Sequence, residues 1–81
     1  MFEVYSKPGC TYCEQAKTLI AKKGFEYREH ILDVGQPKVE GVSYYTVPQL
    51  HQKVPGAKTV PQIFEGSALI GGFEALKQRL A

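Results

Sequence analysis

The sequence predicts one α/β domain whose elements run β-α-β-α-β-β-α. Three observations carry this. Residues 2–5 alternate apolar and polar, as a strand does, and residues 11–23 switch to the helical period. Glycine and proline punctuate the chain at 8–9, 24, 55–56, 66 and 71–72, each time at the edge of such a run. Both cysteines, Cys10 and Cys13, stand two residues apart at the first of these edges, between a strand pattern and a helix pattern.

Phe2-Glu3-Val4-Tyr5 is the first strand, with Phe2 and Val4 toward the core. Pro8-Gly9 ends it and turns the chain. From Thr11 to Lys23, Cys13, Ala16, Leu19 and Ile20 form an apolar stripe, and Glu14, Gln15, Lys17, Thr18 and Lys22 form the solvated face. Gly24 is the natural stop. Phe25 to Ile31 reads as a second strand with Phe25, Tyr27 and Ile31 on one side; Glu26, Arg28 and Glu29 suit an exposed edge. Strand, helix and strand make a right-handed parallel βαβ unit. His30 reads as a surface or edge residue.

Leu32 to Tyr45, with Gly35, Pro37 and Gly41, reads as a loop with room for a short helical turn, the Tyr44-Tyr45 pair resting on the core. From Thr46 to Val54 a short helix follows: Val47, Leu50 and Val54 recur at helical spacing, and Pro48 suits a first turn. His51 lies on its surface. Thr-Val-Pro-Gln occurs at 46–49 and again at 59–62, too close for a repeat architecture. The second copy follows the turn Pro55-Gly56-Ala57 and leads into a strand, where an initial proline is tolerated. Ile63-Phe64 and Ala68-Leu69-Ile70 flank Glu65-Gly66-Ser67 as a hairpin. After Gly71-Gly72, Phe73 to Leu80 is a closing helix with Phe73, Leu76 and Leu80 on one face and Lys77 and Arg79 in its last turn.

At 81 residues the expectation is one domain spanning 1–81. The 43% hydrophobic content is enough for a core at this size. A net charge of +2, with Lys and Arg scattered, argues against a nucleic-acid surface and mildly favours small anionic substrates. No basic-then-apolar leader pattern and no apolar run of membrane-spanning length is visible. The expected compartment is the cytoplasm, without membrane association. There a two-cysteine motif is more often catalytic than structural.

Thiolate, not thiol, attacks a disulfide. Cys10 sits just before or at the start of a helix, where unpaired N–H groups and the helix dipole favour a charged sulfur, and Lys7 adds a cation. Cys10 is therefore expected to be an exposed nucleophile with a depressed pKa. Cys13, one turn further on the same face, can reach back to resolve a mixed disulfide. Tyr12 projects beside Cys10 as one wall of a substrate site. A structural staple is the poorer reading, because closing so small a loop removes little unfolded-chain entropy. A zinc site needs a second pair of ligands, and His30 and His51 have no matching spacing, so no metal is expected.

The element order, with Cys10-Thr11-Tyr12-Cys13 after the first strand, Thr59-Val60-Pro61 before the third and Gly71-Gly72 after the fourth, resembles a glutaredoxin of the small bacterial or phage dithiol type, over nearly the whole chain. The resemblance implies a thioredoxin fold: a four-stranded mixed sheet flanked by three helices, with two parallel strands and an antiparallel hairpin. It implies a cis Val60–Pro61 bond that turns the Val60 N–H and C=O toward Cys10, where they can pair with a peptide-like substrate. It also implies a glutathione site. Lys7 lies near the glycine carboxylate and Tyr12 is the flanking aromatic. Thr59, Val60 and Pro61 hold the cysteine part. Gly72, Phe73 and Glu74, at the last helix's start, meet the γ-glutamyl carboxylate.

The activity implied is glutathione-dependent thiol–disulfide exchange on protein disulfides and glutathione mixed disulfides. Glutathione is the co-substrate, no cofactor is permanently bound, the protein is a monomer, and ribonucleotide reductase is a candidate partner. Thr11 stands where the commonest family motif has proline. It can still cap the helix, but the redox potential and the Cys10 pKa stay open. Two rivals remain: a thioredoxin-like donor served by thioredoxin reductase, and a dimer bridging an iron–sulfur cluster, as some two-cysteine members with a small hydroxyl residue at the Thr11 position form.

Overall fold

The computed structural model describes residues 1–81. Its elements are β1 (Phe2–Ser6), α1 (Thr11–Lys22), β2 (Tyr27–Leu32), β3 (Ser43–Tyr45), α2 (Val47–Lys53), β4 (Gln62–Glu65), β5 (Ala68–Gly71) and α3 (Phe73–Arg79). They build one sheet in the order β3-β2-β1-β4-β5. β1 is central. It pairs parallel with β2, from Phe2↔Tyr27 to Ser6↔Ile31, and antiparallel with β4, from Phe2↔Glu65 to Tyr5↔Gln62. β4 and β5 form the expected hairpin around Gly66-Ser67.

Alternation along β1 divides the core. Phe2 and Val4 face α1 and α3, packing with Ala16, Ile20, Ile63, Leu76 and Leu80. Tyr5 points to the other face with Tyr45, Leu50 and Phe64. Fully burying side chains such as Phe2, Ile20 or Leu76 contributes about 1.5–3 kcal/mol each, so the α1/α3 face carries most of the packing.

The sheet has five strands rather than four. Ser43–Tyr45 lies parallel to the second half of β2, through His30↔Ser43, Ile31↔Tyr44 and Leu32↔Tyr45. Between them residues 33–42 form no helix. The Asp33 carboxylate accepts the Gly35 N–H and pairs with Lys38 at 2.9 Å, and these two contacts, Lys38 first, hold its carboxyl below the usual range. The Gln36 side chain accepts the Val34 N–H and donates to the Leu32 carbonyl. Such side-chain bonds take the backbone groups a helix would use.

β2 also starts later than the alternation implies. The Phe25 N–H still donates to the Ile20 carbonyl at the end of α1, and the Phe25 ring meets Phe2 edge-on at 5.4 Å. His30 is more than a surface residue. It is half-buried and stacked on Tyr5 at 4.6 Å, with Nε2 2.6 Å from Glu3 Oε1 and Nδ1 2.6 Å from Ser43 Oγ, so it bridges three strands.

The repeated tetrapeptide takes two conformations. At 46–49 it starts α2 with a capping box: Thr46 Oγ1 accepts the Gln49 N–H and Gln49 Oε1 accepts the Thr46 N–H. At 59–62 the Val60–Pro61 bond is cis, as the resemblance implied, and the Gln62 amide donates to the Thr59 carbonyl. β4 begins only after this proline. The start of α1, the 59–61 segment and the start of α3 meet at one cleft.

Candidate active site

After Ser6, Pro8 and Gly9 (φ +72°) turn the chain into α1. Cys10 is the N-cap, with extended backbone (φ −91°, ψ 108°), and its Sγ accepts the Cys13 N–H at 3.2 Å. The cap is thus the cysteine itself rather than Thr11, which is the first helical residue. A sulfur that accepts a backbone N–H at a helix start is one whose charged form is favoured.

Cys10 and Cys13 are joined as a disulfide, with Cα atoms 5.3 Å apart. Cys13 has no exposed surface, and Cys10 keeps 9%. The expected exposed nucleophile is therefore nearly covered in the oxidised state, with its Sγ 3.9 Å from the Val60 carbonyl oxygen. Cys10 is nevertheless the residue of the pair that keeps exposed surface.

Beside it Tyr12, Thr59, Val60, Pro61, Gly72, Phe73 and Glu74 line a single cleft of about 390 Å³, completed by Ala75. Seven of the sequence-derived site residues come together here. Tyr12 is largely exposed, and its ring lies 5.9 Å from that of Phe73, forming one wall. Gly71 turns the chain into α3 at φ +126°, where an added Cβ would come 3.1 Å from the Ala75 Cβ. Gly72 is the N-cap of α3 and has no side chain to fill the cleft. Glu74 pairs with Lys77 at 3.1 Å, and the Lys77 ammonium lies 5.0 Å from the Phe73 ring centre.

Lys7 is not in this cleft. It lines a second one, of about 170 Å³, that shares Thr59 and Val60 with the first and continues over Tyr45 and Leu50. Lys58 stands there too, a residue the sequence reading missed. A lysine in a turn has no periodicity or partner spacing to announce it. No group of three or more His, Cys, Asp or Glu side chains is placed to hold a metal ion. No helix is long and apolar enough to cross a membrane.

The Glutaredoxin family model matches residues 2–70. This chain belongs to the glutaredoxin family. Glutaredoxin 3 of Escherichia coli K12 is 36% identical over 74 residues, covering 91% of this chain and 78% of that protein. A hybrid peroxiredoxin of Haemophilus influenzae is 36% identical over 80 residues, which is 96% of this chain but only 28% of that longer protein. Among solved structures, a buckwheat glutaredoxin–glutathione complex superposes with a TM-score of 0.63 at 25% identity, covering 96% of this chain and 66% of that one. The architecture is accordingly the thioredoxin-like fold of glutaredoxins, here with a five-stranded mixed sheet. Family and cysteine pair together make the chemistry thiol–disulfide exchange.

Proposed function

We propose that this glutaredoxin is a glutathione-dependent oxidoreductase that reduces protein disulfides and glutathione mixed disulfides, with Cys10 as nucleophile and Cys13 as resolving thiol. The unequal burial of the pair carries the reading. Only Cys10 keeps exposed surface, and its neighbour Val60 lines both clefts.

The Cys10 thiolate attacks the glutathione sulfur of a mixed disulfide. The S–S bond breaks, the protein thiolate leaves and takes up a proton, and glutathione stays on Cys10. A second glutathione, as thiolate, attacks that glutathione sulfur, releases glutathione disulfide and restores the Cys10 thiolate. With a protein disulfide, the Cys13 thiolate attacks the Cys10 sulfur of the adduct, the protein thiol departs, and the product is the Cys10–Cys13 disulfide. Two glutathione molecules return it to the dithiol. The Cys13 N–H at the Cys10 sulfur favours Cys10 as attacking thiolate and as leaving group.

Charge order supports the choice of thiol. Lys7 and Lys58 border one cleft, Glu74 borders the other, and the Thr59-Val60 backbone lies between. A tripeptide with its glycine carboxylate at the lysines, its cysteine along Thr59, Val60 and Pro61, and its γ-glutamyl end at Gly72, Phe73 and Glu74 matches that order. The buckwheat relative was solved with glutathione. On this reading the protein works as a monomer in the cytoplasm, carries no permanent cofactor, and has ribonucleotide reductase among its candidate acceptors.

The test is NADPH consumption on a small mixed disulfide, once with glutathione and glutathione reductase and once with thioredoxin reductase alone. Turnover in the first system only is expected. Turnover in the second only would keep the cysteine roles and remove glutathione from the site.

A further inference from the structure

Behind the cysteine turn, four polar side chains form a chain of contacts that the exchange steps above do not use. Ser6, the last residue of β1 and fully buried, donates its hydroxyl to Glu29 Oε2 on β2 at 2.7 Å. The same oxygen takes the Lys17 ammonium at 2.8 Å, and Lys17 also meets Glu14 Oε2 at 2.5 Å. Periodicity places Lys17 on the solvated face of α1, yet its side chain is only 15% exposed. Glu14 directly follows Cys13, and Lys17 lies one turn below it on the same face. Together with Lys7, Pro8 and Gly9 these four side chains line one cleft of about 320 Å³. The network thus joins the start of the cysteine segment, at Ser6, to its end, at Glu14, through a single carboxylate on the neighbouring strand.

Its charges are placed to matter. Two carboxylates stand beside the first turns of α1, and Lys17 is the cation between them. Burial alone would push the Lys17 ammonium down, but its hydrogen bonds to Glu14 and Glu29 outweigh that and hold it raised, so it stays charged wherever a thiol titrates. A half-buried cation is screened less than a surface one. The other charges around the turn lie outside the network: Lys7 and Lys58 make no ion pair, and Glu74 is held by Lys77.

We propose that Ser6, Glu29, Lys17 and Glu14 form a positioning and charge-setting network for the Cys10 thiolate. Lys17 offsets the two carboxylates whose field opposes that charge, while Glu29, through Ser6, fixes the turn that presents the sulfur. Thiolate formation precedes attack on any disulfide, so this inference stands apart from the choice of glutathione.

The test needs no glutathione. In the reduced Cys13→Ser protein, the ionisation of Cys10 is read from ultraviolet thiolate absorbance and from the pH profile of alkylation by iodoacetamide. Lys17→Met should lower the Cys10 ionisation constant and Glu29→Gln should raise it, each by roughly threefold. Lys17→Arg should restore the wild-type value, and Ser6→Ala, which frees the turn from Glu29 but removes no charge, should lower the constant by less than Lys17→Met does. If Lys17→Met does not fold, Glu14→Gln joins Glu29→Gln, and both should raise the constant. Shifts of the same sign for Lys17→Met and Glu29→Gln, as general loosening would produce, or no shift in any variant, would overturn the proposal.

Discussion

The Cys10 sulfur accepts the backbone N–H of Cys13 at 3.2 Å, so the proposed attacking and resolving positions are joined by the cap of α1 itself. The donor is a backbone group and survives replacement of the Cys13 side chain. Cys13→Ser is therefore expected to keep reduction of glutathione mixed disulfides and to lose reduction of protein disulfides. Serine is itself a strong N-cap. Cys10→Ser should accordingly keep the fold, melting with the reduced wild-type protein, while abolishing both activities. Turnover on the two substrate types checks each variant, and activity remaining in Cys10→Ser would end the assignment of the nucleophile.

Gly71 and Gly72 are adjacent but constrained differently. At Gly71, φ +126° and a neighbour 3.1 Å from an added Cβ both oppose a side chain. Gly71→Ala should cost about 1–3 kcal/mol, lowering the melting temperature by roughly 4–8 °C per kcal/mol for a domain of this size. At Gly72 the added Cβ would meet only the Pro61 carbonyl oxygen, at an ordinary 3.7 Å. Gly72→Ala should melt near wild type yet raise the KM for glutathione, because its methyl group enters the cleft. Equal melting losses in the two variants would contradict this division.

The Tyr45 hydroxyl donates to the Ser6 carbonyl at 2.8 Å inside the core. Burial, with Tyr5 beside it, pushes the Tyr45 phenol up to about 12. The unfolded value is near 10, so between these pH values the folded chain holds a proton that the unfolded chain has released. Stability should be full below about pH 10 and fall as pH rises toward about 12, by on the order of 2 kcal/mol. Tyr5, raised by burial and then by Glu3, adds in the same sense. Tyr45→Phe should cost about 1 kcal/mol at neutral pH and flatten most of the alkaline fall. Urea unfolding across the alkaline range measures both, and an equally steep fall in the variant would assign the effect elsewhere.

Much of the site is legible in the sequence because its parts carry local signatures. Cys10 and Cys13 stand at a change of periodicity, and Pro61 and Gly72 sit at element boundaries. What escapes is pairing between elements. Ser43–Tyr45 is three residues long and becomes a strand only because β2 has a free edge there. His30 and Lys17 occupy positions that periodicity assigns to the surface. Their partners Glu3, Ser43 and Glu29 come from other strands, and no local pattern records them. Lys58 is silent because it stands in a turn, with neither periodicity nor a partner in the chain. The cap passes from Thr11 to Cys10 because the sulfur is the acceptor that reaches the Cys13 N–H.

Lys7 and Lys58 border the same small cleft, and neither makes an ion pair within the chain. Both ammonium groups are thus free to meet an anion, and both are exposed, so each should contribute modestly. Lys58→Met is expected to raise the KM for glutathione by roughly two- to fivefold, the range of an exposed ion pair. The effect should shrink with added salt. Lys58 also borders Tyr45 and Leu50, so lost packing could raise KM without any lost charge, and the substrate must separate the two. Glutathione esterified at its glycine carboxylate keeps the thiol and the γ-glutamyl end but has no anion for a lysine to meet. If the lysines bind that carboxylate, wild type and Lys58→Met should have the same KM for the ester, and salt should no longer matter. A loss as large with the ester as with glutathione would show that Lys58 shapes the cleft rather than pairing with its ligand, and would turn the proposed orientation of the tripeptide away from the lysine end.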